Sequence, residues 1–314
     1  MSKSTSGIPI ATVQRAGLVT TQDIGRIGFA DIGVPGSGAW HQARHRLAVT
    51  LVHDHIEDMY LPYPTFEILN VGLSLALHEP QVIAVVGSAD VRIDGRPAVT
   101  GVAMHISADS VLEIDHLGPG PVYLALSGWQ PERILRSAAT DSFSRLGGPC
   151  GDGAPIKRGQ DLLGHPDVET RHVGSFVRAP QHSVNGMSVI AYDDGLAAAL
   201  CEEPWHVNAT ARSGVRLSGQ ELPMPQPIPS MPVVPGAIQL TPDGTAIVLG
   251  PDGGLTGGYP IVGVVASAHL DHMADLEPAQ QVVFTRIDPA SAFEEFIARE
   301  RAIASAIVRP DALT

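Results

Sequence analysis

Lysine is almost missing from this 314-residue chain. Lys3 and Lys157 are the only two, so nearly all positive charge is arginine. Arginine recognises carboxylates and phosphates through a fixed fork and transfers protons poorly. Lysine chemistry would fall to Lys157, which reads as a solvated loop residue. Cysteine is as scarce: Cys150 and Cys201 make neither a CxxC pair nor a disulfide framework, which argues against a cysteine-based zinc site. Aromatic residues make up only 5% of the chain, against 33 Gly and 26 Pro. That balance points to many turns and short strands rather than a helix bundle. No apolar run approaches the roughly 20 residues that a membrane span needs. The amino-terminal stretch lacks the basic start and apolar core of a secretion signal. The chain is therefore expected to be cytoplasmic with no membrane partner, and the Asn208/Thr210 glycosylation pattern is discounted. The net charge is −13 and no Lys/Arg-rich run occurs, so no nucleic-acid partner is expected. Neither a GxxxxGK[ST] loop nor a GxGxxG between strand and helix is present, so any ATP must be held on another surface or with a partner.

What the chain does have is two glycine-studded blocks, at residues 18–39 and 233–260. Repeated glycine implies backbone with positive φ or close approach of another group. The polar residues threaded through them, Gln22, Asp23 and Arg26 in the first and Gln239, Asp252 and Tyr259 in the second, make both blocks candidate sites.

Short strands are expected at residues 83–87, 91–93, 111–114, 122–126, 237–240, 246–249 and 282–284. Asp94 and Gly95 signal a hairpin, and Pro242, Asp243 and Gly244 a second turn. Three helices are expected. The first runs from Ser37 as N-cap to about Val52. A short one covers residues 131–137. The last starts at Asp288 and carries Phe293, Phe296, Ile297, Ile303 and Ile307 on a face that packs on a barrel. Residues 221–235 hold six prolines and read as a stiff loop. The expected domains are a first β-barrel half at 11–163, a connection at 164–187, a second half at 188–287, and a C-terminal helix and tail at 288–314.

The histidines invite a metal hypothesis. His41 and His45 share a helix face, and His53/His55 and His269/His272 are further pairs. Solvated or capping roles are the default, and no metal is expected. Ser37 lacks the glycine two residues earlier that a nucleophile elbow uses, so it reads as a cap. Backbone N–H groups at Gly36, Ser37 and Gly38 suit an anion. Arg212 and Arg216 flank Gly214 on an extended segment, an arrangement suited to a carboxylate or phosphate.

These motifs together resemble the allophanate hydrolase subunit 2, or KipA, family, which includes the C-type subunit of 5-oxoprolinase and part of the urea carboxylase carboxyltransferase domain. The family's first motif reads roughly TTxQDxGRxGxxxxGVPxSGAMD, matched here from Thr20 to Ala39. Leu146, Gly147 and Gly148 match a middle Gly-Gly motif. The run from Arg212 to Leu217 matches Arg-x-Gly-x-Arg-Leu. The late motif is matched by Gly236, Ile238 and Gln239, and by Asp252 with Thr256, Gly257, Gly258, Tyr259 and Pro260. Order and spacing hold from about residue 12 to 287. The departures are His41 at the family's helix-start Asp, Gly254 for Gln, Leu255 for Thr, Thr241 for Pro, and Gly151, Asp152 and Gly153 in place of Gly-Arg.

The resemblance implies a mainly β fold with a few helices, built as two cyclophilin-like β-barrel halves. It implies an ATP-dependent opening of 5-oxoproline to glutamate, performed with a KipI-like partner that resembles the B-type subunit of 5-oxoprolinase. ATP would be bound together with that partner. Gln22, Asp23, Gln239, Asp252 and Tyr259 are the expected catalytic residues. Arg26, Ser37, Gly38, Arg212, Arg216, Gly257 and Gly258 are the expected substrate-binding ones. The alternatives are a non-enzymatic KipA-like regulator that binds a kinase-inhibitory partner, and a urea or amide carboxyltransferase, for which biotin would be the cofactor.

Overall fold

A computed structural model describes residues 7–53, 63–167, 173–178, 186–222 and 228–309. Two compact units emerge. The first comprises Met1–Ile27, Ser37–Ala179 and Ile303–Thr314, the second Gly28–Gly36 and Pro180–Ala302.

The first unit contains β1 (Ile8–Ala16), β2 (Val19–Gln22), α1 (Gln42–Val52), β3 (Thr65–Ile68), β4 (Gly72–Leu77), β5 (Gln81–Val86), β6 (Ala89–Ile93), β7 (Arg96–Ala98), β8 (Ala103–Ile106), β9 (Val111–His116), β10 (Val122–Leu126), β11 (Asp161–Gly164) and β12 (Phe176–Val177). They form a six-stranded sheet, β11-β1-β4-β9-β6-β7, and a five-stranded sheet, β2-β3-β10-β5-β8. One apolar core joins their inner faces, with Ile10, Val13, Leu73, Leu75, Leu112 and Ile114 from one sheet and Phe66, Ile83, Val85, Val122 and Leu124 from the other.

β5 and β10 are buried at every position. Their unbroken apolar runs make sense because both faces are covered. Alternate residues Val82, Ala84, Val86, Tyr123 and Ala125 turn away from the inter-sheet core and pack on Leu47, Ala48, Leu51 and Val52 of α1. Ile303 and Ile307 join that second cluster. The expected hairpin joins β6 to β7, with Asp94 at φ 52° and Gly95 at φ 73°, the two left-handed residues that a tight hairpin turn uses.

Two helix expectations are corrected. α1 starts at Gln42, and His41 caps it: its Nδ1 accepts the Arg44 N–H at 3.2 Å. Ser37 lies upstream at φ 51° and caps nothing. Residues 131–137 form no helix. Leu135 and Arg136 have φ of 52° and 69°, and Ile134 and Ser137 exchange backbone hydrogen bonds across that turn. A helix cannot carry two left-handed residues.

The second unit is built on a closed barrel, β13-β20-β17-β18-β15-β14-β21. Its elements are β13 (Gly186–Ala191), α2 (Asp194–Leu200), β14 (Trp205–Ala211), β15 (Gly214–Ser218), β16 (Met231–Pro232), β17 (Ala237–Leu240), β18 (Ala246–Leu249), β19 (Thr256–Gly257), β20 (Ile261–Val265), α3 (Leu270–Met273), β21 (Gln281–Ile287) and α4 (Pro289–Ser305). A parallel β13–β21 pairing closes the ring. Trp205, Val207, Val215, Leu217, Val282 and Phe284 are buried at alternating positions, the period-2 signature of strands with one face inward. β16 and β19 form a separate small ribbon.

Asp288 opens α4 as expected, its Oδ1 accepting the Ala290 and Ser291 N–H groups at 2.9 and 3.0 Å. The expected apolar face is divided: Ile303 and Ile307 pack on the α1 cluster, whereas Phe293 does not. Phe293 is 63% exposed, and Ala292 is the helix's buried residue. Polar contacts add to the hold on the helix: Glu295 accepts from the Ser188 hydroxyl at 3.1 Å and meets His269 Nε2 at 3.1 Å, and Arg299 pairs with Asp271. Among the described residues no helix is long and apolar enough to cross a membrane.

Leu124→Ala removes a fully buried side chain from the inter-sheet core. A loss of about 2–5 kcal/mol is expected, read as a lower urea midpoint.

Candidate functional site

In the first unit, Asp23 is fully buried. Its Oδ1 accepts the Gly25 N–H at 2.8 Å and the Ser137 hydroxyl at 2.6 Å, and its Oδ2 accepts the Ala138 N–H at 2.7 Å. Burial pushes its carboxyl above the ordinary 3.8, opposed by the Ser137, Gly25 and Ala138 donors and by the Arg26 charge. Gln22, also fully buried, donates from Nε2 to Thr20 Oγ1 at 3.1 Å and to the Thr140 carbonyl at 3.3 Å. Arg26 donates from Nη2 to the Ala139 carbonyl. The three polar residues of the first block therefore converge on one partner segment, residues 137–140.

The middle motif fits against the same place. Gly147 has φ 66°, and a side chain there would collide with the Ala139 carbonyl and the Arg26 guanidinium. The Gly-Gly signature thus belongs to the packing of the first block. Gly38, at φ 92°, lies against the backbone of Ile24 and Gly25.

The N–H groups beyond Ser37 are spoken for. Ala39 donates to the Asp23 carbonyl at 2.8 Å, Trp40 to Glu67 Oε2 at 2.8 Å and His41 to the Tyr123 hydroxyl at 2.9 Å. Because α1 begins at Gln42, the N–H groups of Gly36, Ser37 and Gly38 lie upstream of the helix rather than at its first turn. Ser37 Oγ is buried without a hydrogen-bond partner.

Sequence reasoning missed Glu67, Tyr123 and the segment 137–140. Glu67 is fully buried on β3 and accepts the Tyr123 hydroxyl at 2.6 Å. Its signal was an acid flanked by Thr65, Phe66 and Ile68, where a charge needs a partner. His45 is buried behind it, its Nδ1 2.9 Å from Thr65 Oγ1, which donates to the Gln22 carbonyl at 3.2 Å. That donation assigns the Nδ1 proton to His45, leaving the hydroxyl as acceptor. Burial lowers the His45 pKa from 6.5 to about 3, helped by the Arg46 charge.

In the second unit, Arg212 sits in the β14–β15 turn and grips Asp252 with two hydrogen bonds, Nε to Oδ2 at 2.6 Å and Nη2 to Oδ1 at 2.8 Å. Two expected site residues thus bind each other. Arg216 takes a different direction, exposed on β15 between inward-facing Val215 and Leu217. Gln239 is 5% exposed on β17, and its Nε2 has no hydrogen-bond partner. Gly257 lies directly against that amide, where any side chain would collide with it. Gly258 and Tyr259 follow on the exposed side of this loop, and Tyr259 is 43% exposed.

Among the described residues no group of three His, Cys, Asp or Glu is placed to hold a metal. His269 and His272 meet edge to face at 5.4 Å, and His53 stacks on Tyr63. Asp54 and His55 lie outside the described residues. Cys150 is exposed and Cys201 half-buried, both as free thiols. A cleft of about 550 Å³ on the first unit is lined by Gln14, Arg15, Ser74, Glu113 and Arg158, none of them an expected site residue.

The carboxyltransferase domain, subdomain A and B, matches residues 32–286. The chain belongs to this family. It is 28% identical to the C-type subunit of 5-oxoprolinase from Escherichia coli (strain K12), over 87% of this chain and 89% of that protein. Among solved structures, TTHA0988 superposes with a TM-score of 0.78 at 26% identity, covering 88% of this chain and 55% of that one. The K. lactis urea amidolyase superposes at 0.82 and 23% identity, covering 96% of this chain and 20% of that one, which shows a shared fold. The chain thus spans about half of the first structure and a fifth of the second.

Two outcomes are expected of the first unit. Gly147→Ala should cost about 1–3 kcal/mol through left-handed strain and collision with the Arg26 contact, seen in thermal melts. His45 is neutral when folded and has a depressed pKa, so its contribution is complete above 6.5 and is lost as pH falls toward about 3. Urea midpoints should therefore fall more steeply between about pH 7 and pH 4.5 for the wild type than for His45→Gln. Equal slopes would refute the assignment.

Proposed function

We propose that this chain belongs to an ATP-dependent 5-oxoprolinase-type amidohydrolase, opening 5-oxoproline to glutamate in the cytoplasm as a hetero-oligomer with a KipI-like partner akin to the B-type subunit of 5-oxoprolinase. The observation that carries this reading is the near end-to-end correspondence with a protein named as a 5-oxoprolinase subunit, 87% of one chain against 89% of the other. A chain that aligned only with a fragment of a larger enzyme would support it less.

Hydrolysis of a lactam develops negative charge on the carbonyl oxygen, and pre-positioned donors lower that barrier. The late loop offers such donors. Gln239 Nε2 is buried without a hydrogen-bond partner and packs against Gly257. The Tyr259 hydroxyl stands on the exposed side of the same loop. Asp252 pairs with Arg212, and Gln22, Asp23 and Arg26 tie the first block to residues 137–140. ATP, when bound, supplies the activation of the amide oxygen. In the first block the N–H groups of Gly25 and Ala39 are already bonded to Asp23. This reading gives the nucleotide to a surface that the partner completes.

A KipA-like regulator is the second reading, favoured by Gly254 and Leu255 where the family motif has polar side chains. A urea or amide carboxyltransferase served by biotin on another chain is the third, and the family's own description favours it. The test is ATP hydrolysis by the chain co-purified with its KipI-like partner, with and without 5-oxoproline. Stimulation by 5-oxoproline with glutamate release is expected, and Gln239→Ala should lower kcat by roughly tenfold or more. Partner binding without turnover would support the regulator. Carboxyl transfer from carboxybiotin to urea would support the third reading.

A further inference from the structure

The anchorage made by the first block leads to a surface. Gln22, Asp23 and Arg26 hold residues 137–140, and the chain then enters a loop bonded to itself. The Asp141 and Leu146 backbones exchange hydrogen bonds at 2.8 and 3.0 Å. Asp141 Oδ1 accepts the Phe143 and Ser144 N–H groups at 3.1 and 3.0 Å, and the Ser142 hydroxyl donates to the Gly153 carbonyl at 3.0 Å. At the tip of this constrained loop, Phe143 is 96% exposed. Leu135 and Ile27, also exposed, flank the same anchorage in sequence. Arg133, Arg136 and Arg145 are exposed on this stretch, whereas Glu132 is its one exposed acid between residues 132 and 145. The stretch is basic within a chain of net charge −13.

We propose that this loop is the anchor by which the chain holds its KipI-like partner, Phe143 entering an apolar pocket rimmed by carboxylates that meet Arg133, Arg136 and Arg145. The inference rests on the hetero-oligomer reading above. Aromatic and arginine side chains supply most strong interface contacts. A loop already ordered in the free chain loses little entropy on binding. A second copy of this chain is a poorer occupant, since a two-fold interface would set the same arginines against one another.

The test is titration of the intact chain against the KipI-like partner, with size-exclusion chromatography of each alone and of the mixture. Phe143→Ala should weaken binding by roughly tenfold or more, with an unchanged melting temperature. Arg136→Glu should also weaken it, and wild-type affinity should fall with added salt. If Phe143→Ala binds as tightly as wild type while the wild-type complex forms, the anchor is wrong and the hetero-oligomer reading stands. If the wild-type chain does not bind the partner at all, the hetero-oligomer reading falls and the anchor falls with it. Self-association of the chain that Phe143→Ala abolishes would assign the loop to a second copy and overturn the proposal.

Discussion

The buried carboxylate of Asp23 binds together stretches of chain more than a hundred residues apart, with a side-chain bond to Ser137 and a backbone bond to Ala138. A desolvated carboxylate is costly unless donors surround it, and a group with three donors in place cannot easily be moved. Gln22 and Arg26 secure the neighbouring carbonyls of Thr140 and Ala139. Once residues 137–140 are fixed in this way, the turn at Leu135 and Arg136 must be left-handed and Gly147 must lack a side chain. The loop bearing Phe143 inherits its position from the same bonds.

The first unit's sheets supply the rigid frame for this network. β5 and β10 are buried on both faces, one set of side chains entering the inter-sheet core and the alternate set meeting α1. Glu67, Tyr123 and the backbone of Trp40 and His41 then form a polar seam where α1 begins. His41 occupies the position where the family motif has Asp, yet it performs a helix cap with Nδ1. That departure preserves local physics. Gly254 and Leu255 stand where the family motif has polar side chains, and the loop is tied by its backbone, the Leu255 carbonyl accepting the Val233 N–H at 3.0 Å.

Much of the β framework was legible from periodicity and turn residues. The strand at Val122–Leu126, the pair Ala237–Leu240 and Ala246–Leu249 and the Asp94/Gly95 hairpin match expectation because their signals are local. The helix expected at residues 131–137 failed because Asp23, distant in sequence, dictates that backbone. The apolar spacing along α4 held in part: Ile303 packs on the α1 cluster, but Glu295 and Arg299 find polar partners on β13 and α3 and Phe293 faces water.

The sequence alone determined the family, the mainly β class and the two glycine-rich blocks, because motif spacing, strand alternation and turn chemistry are written in neighbouring residues. Only the tertiary structure decided what the polar residues in those blocks do. Asp23 and Arg26 serve residues 137–140, Arg212 and Asp252 serve each other, and Gln239 keeps an unspent donor. A polar side chain's role is set by whichever buried donor or acceptor lies within about 3 Å, and that neighbour comes from elsewhere in the chain.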